Sequence, residues 1–232
     1  MSKAPPRPAA DQEAASPGAP AAPRKRARPG AAELQLRRRD LLAATRKLLS
    51  KGGTTTVTMR AVADMVGMST TVVYAMFPDK AALIAHALDD DLKRFSRHLQ
   101  QALHGAGDAR DALMRVAQAY VAFGVAHPQS YRLMFMEPRP AMPVEDMAGE
   151  HGNPRQQAYD LACGVAAGLL RELADGTPAP GAVDATAQLL WEALHGITSL
   201  RITLEADPWF ERIPTTENVQ RMVQVLLAGL KG

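Results

Sequence analysis

From residue 31 to the end of the chain, apolar residues recur three and four positions apart, and no stretch alternates at period two for long enough to make a strand. A chain of 232 residues patterned in this way buries one face of each helix and is expected to be all-α. Leu34, Leu41, Leu42, Thr45, Leu48 and Leu49 share one face of a first helix, which Gly52 and Gly53 stop. Thr58 is placed to cap a second helix over Met59, Val62, Ala63 and Val66, ended by Gly67. Ser69 is placed to cap a third, which runs to Phe77 and halts at Pro78. Asp79 begins a long fourth helix striped by Leu83, Ile84, Ala87, Leu88, Leu92, Phe95 and Leu99. A fifth starts near Asp108 and reaches His127, followed by a short helical piece from Gln129 to Met136. Prolines and glycines make 137–153 a loop, and further helices are expected over 154–174, 183–205 and 215–230.

The charge is divided along the chain. Residues 1–60 carry a net charge of +9, and the remainder carries −6. A basic front on an acidic body suggests that the front meets a polyanion, although a basic tail also serves solubility. Seven of the first 30 residues are proline, so 1–30 is expected to be a disordered arm. It ends in Arg24-Lys25-Arg26-Ala27-Arg28, a cationic run that suits a minor groove or phosphates as well as solvent. The longest apolar stretch falls far short of the ~20 residues of a membrane span. The N-terminus has no apolar run after its positive charges, as a secretory signal would. The single cysteine, Cys163, excludes an intrachain disulfide. A soluble, cytoplasmic chain without a membrane partner is the expectation.

Residues 59–78 carry the most information. Two short helices joined at Gly67-Met68 need small residues where they cross, and Ala63 and Gly67 supply them. Val62, Val66, Met68, Val73 and Met76 or Phe77 form a compact apolar set for that crossing. The pattern is that of a helix-turn-helix, whose second helix offers its N-terminal half to the major groove. An ordinary pair of packed helices is the plainer alternative. A basic helix just before it, caps at both helices and the aromatic-proline end favour the first reading.

The segment from Thr58 to Lys80, followed by Ala-Ala-Leu-Ile, resembles the DNA-binding segment of TetR-type transcriptional regulators. Its marks are Thr58, Ala63, Gly67, Ser69, Tyr74, Phe77, Lys80 and Leu83. The resemblance implies a three-helix DNA-binding domain over 31–78 and a larger helical domain for ligand binding and dimerisation over 79–232. It also implies that Thr58, Arg60, Tyr74 and Lys80 meet phosphates, and that Ser69, Thr70 and Thr71 lie at the base-reading end. The sequence departs from the family pattern at Thr71, Val72, Val73 and Met76. Its reading face therefore lacks Arg, Asn and Gln, which leaves phosphate contacts and thymine methyls to carry affinity. Trp191-Glu-Ala-Leu-His195-Gly196, with His127 to Phe135 before it, is similar to the signature of a Trp-His-Gly subgroup.

In the body, Tyr120, Phe123, Met134, Phe135, Trp191 and His195 are large apolar groups with a few polar tips, the usual lining of a small-molecule cavity. The apolar stripes of 183–205 and 215–230 suit either the chain's own core or an isologous four-helix interface between two copies. The six histidines form no His-Glu-x-x-His pattern, and phosphate-cradling glycine loops are missing, so no enzyme, cofactor or metal is expected. The reading is of a homodimeric repressor, released from a palindromic duplex DNA operator by a small apolar effector. The alternatives are a helical enzyme or carrier with an incidental basic front, and a metal-sensing regulator using His127 or His151.

Overall fold

The computed structural model describes residues 30–138, 154–174, 177–205, 207–208 and 211–230. The basic arm before residue 30, most of the expected loop and His151 lie outside these residues. Among the described residues the elements are all helical: α1 (Ala31–Gly52), a 3-10 turn (Gly53–Thr56), α2 (Met59–Val66), α3 (Thr70–Met76) and α4 (Lys80–Leu103). There follow α5 (Ala109–Ala126), α6 (Pro128–Tyr131) with a π turn over Arg132–Met136, α7 (Pro154–Ala174), α8 (Ala182–Thr203) and α9 (Thr215–Gly229).

Local chemistry sets most of these boundaries. The Thr58 hydroxyl accepts the Ala61 N–H at 3.0 Å, and the Asp79 and Asp108 carboxylates accept those of Ala82 and Asp111 at 2.8 and 2.7 Å. Each such cap stabilises its helix by about 1 kcal/mol. Gly67 turns α2 into α3 with φ of +69°, a left-handed conformation open to glycine at little cost, and the Met68 N–H returns to the Ala63 carbonyl at 3.0 Å. Ser69 departs from expectation. It holds the N-cap position of α3, but its side chain makes no capping bond; its carbonyl takes the Val72 N–H at 3.0 Å instead. Leu34 also departs, lying 42% exposed because the first turns of α1 run beyond the elements that cover the rest of that helix.

Two apolar cores share one helix. The first joins Leu41 and Leu49 of α1, Val62 of α2, Val73 of α3 and Phe77 to Leu83, Ile84, Ala87 and Leu88 in the first half of α4. The second starts four residues on, where Leu92, Phe95 and Leu99 of α4 meet α5, α7, α8 and α9. Side chains buried this completely contribute about 1.5–3 kcal/mol each, which makes α4 part of both units. Polar contacts reinforce the joint. Arg46 of α1 donates to the Ala87 carbonyl at 2.5 Å and pairs with Asp90 at 3.2 Å. The Asp91 carboxylate, 8% exposed, accepts from Arg94 at 2.5 Å and from Ser130 of α6 at 3.1 Å.

Candidate nucleic-acid interface and effector cavity

The third helix is held from behind and open in front. Val73 and Phe77 are fully buried, and the Arg38 guanidinium lies 4.5 Å from the centre of the Phe77 ring, tying α1 to the end of α3. Tyr74, one residue after Val73, is 55% exposed, and Thr71 and Ala75 are exposed with it. The outer face of α3 therefore carries hydroxyls and small side chains. Thr58, Arg60 and Ser69 are exposed, while Thr70 and Lys80 are half-buried. Because the Thr58 oxygen accepts from its own helix, its O–H remains a donor for an anion at the N-terminus of α2. Arg60 spends little on its neighbour, since its 3.8 Å pair with Asp64 lies in open solvent.

A cavity of 310 Å³ opens inside the second core, walled by α4, α5, the π turn, α7 and α8. Four of the six residues expected to line it do so: Tyr120, Met134, Phe135 and Trp191. Phe123 and His195 are not on its wall. Phe123 packs its ring against Phe95 at 5.2 Å, and His195 stacks on Tyr131 at 5.6 Å. A hydrogen-bonded relay links these groups. Trp191 Nε1 donates to the Tyr120 hydroxyl at 3.0 Å, the Tyr120 and Tyr131 hydroxyls are 2.9 Å apart, and the Tyr131 hydroxyl lies 2.7 Å from His195 Nδ1. Burial pushes Tyr131 up to about 12 and Tyr120 well above its ordinary value, so both stay neutral. Burial lowers the His195 pKa.

Sequence reasoning passed over much of the wall. Leu92, Phe95 and Leu99 of α4 belong to a stripe that reads as ordinary core, because a cavity wall and a core have the same periodicity. Arg155, Ala158, Tyr159, Ala162 and Val165 of α7 also line the cavity. Their spacing of three, one, three and three marks a single helix face, and an arginine opening that apolar face was the available signal. His127 packs its ring against Phe123 at a tilt, with ring centres 4.7 Å apart.

The family model described as "Bacterial regulatory proteins, tetR family" matches residues 41–87, which take in the later part of α1, α2, α3 and the start of α4. That of the "Tetracyclin repressor-like, C-terminal domain" matches 113–230, just over half of the chain. The chain belongs to the TetR family. Curated relatives within it match over a short span. The HTH-type transcriptional repressor KstR of Mycobacterium tuberculosis is 41% identical over 58 residues, 25% of this chain and 26% of that protein. KstR of Mycolicibacterium smegmatis is 35% identical over 71 residues, 31% and 35% of the two chains. The chain thus matches between a quarter and about a third of the length of these relatives. Solved structures match over far more of the fold. A Rhodococcus sp. RHA1 protein of unknown function is 25% identical with a TM-score of 0.60, covering 84% of this chain and 95% of that one. The regulator FadR of Bacillus subtilis, solved with stearoyl-CoA, is 11% identical with a TM-score of 0.52, covering 82% and 98%. As in other TetR-family members, the chain joins a small N-terminal helical unit to a larger helical body.

Proposed function

We propose that this TetR-family chain is a homodimeric repressor that binds a palindromic operator through α3 and leaves it when a small apolar molecule fills the cavity. The observation that carries the reading is α3 itself, pinned by Val73 and Phe77 and exposed at Thr71 and Tyr74. A helix with a buried back and a short, hydroxyl-rich front suits entry into a groove. In this reading Thr58, Arg60, Tyr74 and Lys80 hold phosphates, and Ser69, Thr70 and Thr71 face base edges. The DNA-binding unit is 31–78, supported by the start of α4, and the remainder binds the effector and the second copy.

The segment 128–137 gives the effector a route to the head. Met134 and Phe135 line the cavity, while Leu133 packs against the first core. Gln129 Nε2 donates to the Ser50 carbonyl at the end of α1 at 3.2 Å, and Arg132 donates to the Ile202 carbonyl of α8 at 3.0 Å. A ligand that displaces Met134 or Phe135 moves the segment on which α1 rests. It releases DNA only to the extent that it favours a head placement that no longer fits the operator.

Fluorescence anisotropy with duplexes from upstream of the chain's own gene tests the proposal. Tyr74→Phe and Lys80→Ala should each weaken binding about three- to tenfold on every sequence, the scale of one hydrogen bond, and Lys80→Ala should lower the salt slope by about one. Thr71→Ala should change which base is preferred at one position of each half-site. Absence of a preferred upstream fragment, or sequence-blind losses in all three variants, would overturn the reading.

A further inference from the structure

The cavity wall is hydrocarbon and aromatic apart from a few polar tips, and among the described residues that line it Arg155 alone is charged. It stands half-buried in the first turn of α7. Burial lowers its pKa, and Asp89 of α4 opposes that shift. A guanidinium carries five N–H donors and matches a carboxylate through two parallel bonds. Where water is scarce such charge-assisted bonds are among the strongest available. Among the described residues the lining offers no carboxylate to meet a cation. At 310 Å³ the cavity is about twice the roughly 150 Å³ that accepts one benzene, so it suits a body of about two rings.

We infer that the effector is an apolar acid, a compact hydrocarbon body bearing one carboxylate, with the carboxylate on Arg155 and the body against Phe95, Phe135 and Trp191. The inference rests on the reading of the cavity as an effector site and deepens it to a ligand class. The polar relay behind the wall then serves to hold Tyr120 and Trp191 in place, and the single charge of the wall supplies selectivity.

Three probes of one shape separate the possibilities by calorimetric titration of the full chain: 2-naphthoate, the neutral 2-naphthamide and the cationic 2-naphthylmethylammonium. The acid is expected to bind at least about tenfold more tightly than the amide, the ratio carried by a charge-assisted hydrogen bond, with the cation weakest. Arg155→Gln should close the gap between acid and amide, and Arg155→Lys, which keeps a point charge, should retain part of it. Equal binding of acid and amide by the natural chain overturns the inference but leaves the cavity as an effector site. A preference for the acid that survives in Arg155→Gln also overturns it, since another group then holds the carboxylate. If none of the three probes binds, the effector-site reading falls and this inference with it. Should Arg155→Gln not fold, the acid-to-amide ratio in the natural chain and in Arg155→Lys still decides.

Discussion

The indole N–H of Trp191 can only donate, so the Tyr120 oxygen accepts at the start of the relay behind the cavity. Beyond it the Tyr120 and Tyr131 hydroxyls pair at 2.9 Å and Tyr131 pairs with His195 Nδ1 at 2.7 Å. Burial lowers the pKa of His195 and so disfavours uptake of a second ring proton. As pH falls below the ordinary value of 6.5, the unfolded chain takes up this proton before the folded one does. The stabilisation is present in full above that pH and is progressively lost below it. Thermal melts between pH 7.5 and 5.5 should show a steeper loss of Tm in the natural chain than in His195→Gln, whose amide can pair with Tyr131 without titrating. Parallel slopes would mean that His195 carries no such linkage.

At the scale of elements, the crossing of α5 and α8 is set by a missing side chain. A Cβ at Gly124 of α5 would lie 2.2 Å from Thr198 Cγ2 of α8 and 3.0 Å from the Tyr131 ring. Thr198 cannot swing away freely, because its hydroxyl donates to the Leu194 carbonyl at 2.7 Å. Gly124→Ala gains about 1 kcal/mol of helix propensity but forces the helices apart, and overpacking costs about 1–3 kcal/mol. Urea denaturation should show a net destabilisation of about 1 kcal/mol, whereas Gly164→Ala, whose Cβ meets nothing, should stabilise slightly. Such crossings were not legible in the sequence, because Gly124 and Gly164 look alike until their neighbours are known. What was legible is what local chemistry decides: the caps at Thr58, Asp79 and Asp108, the left-handed stop at Gly67, and the buried stripe of α4. The capping role given to Ser69 did not hold: its carbonyl takes the Val72 N–H, the one that a capping side chain would accept. Of the cavity residues, the aromatics stood out by size, whereas excluding Phe123 and His195 from the wall required knowing which way each helix turns. The π turn over Arg132–Met136, which carries Met134 and Phe135 on the wall, leaves no mark in the spacing.

For the molecule as a whole, the outstanding question is what covers the outer face of α8. Leu189, Ala193, Gly196 and Leu200 follow one another at spacings of four, three and four, so they lie on one face, and Leu200 is 56% exposed. Around the absent side chain of Gly196 there is open space, which permits close approach of another helix. Val225 of α9 adds a further apolar side chain, 71% exposed. In the proposed dimer, an isologous pairing about this face would bury the stripe against its own copy and present two copies of α3 to one duplex. Reading a palindrome requires such a pair, because one short helix contacts few bases, and two engaged together gain from an effective local concentration. Leu200→Glu places a charge at the C-terminal end of that stripe without touching either core. Analytical ultracentrifugation should then show a shift from two chains to one, with helical circular dichroism unchanged. Affinity for a full palindrome should drop on the order of a hundredfold, to the level of a single half-site. A Leu200→Glu chain that remains a dimer with full operator affinity would place the interface on another surface, and the α8 stripe would need a different partner.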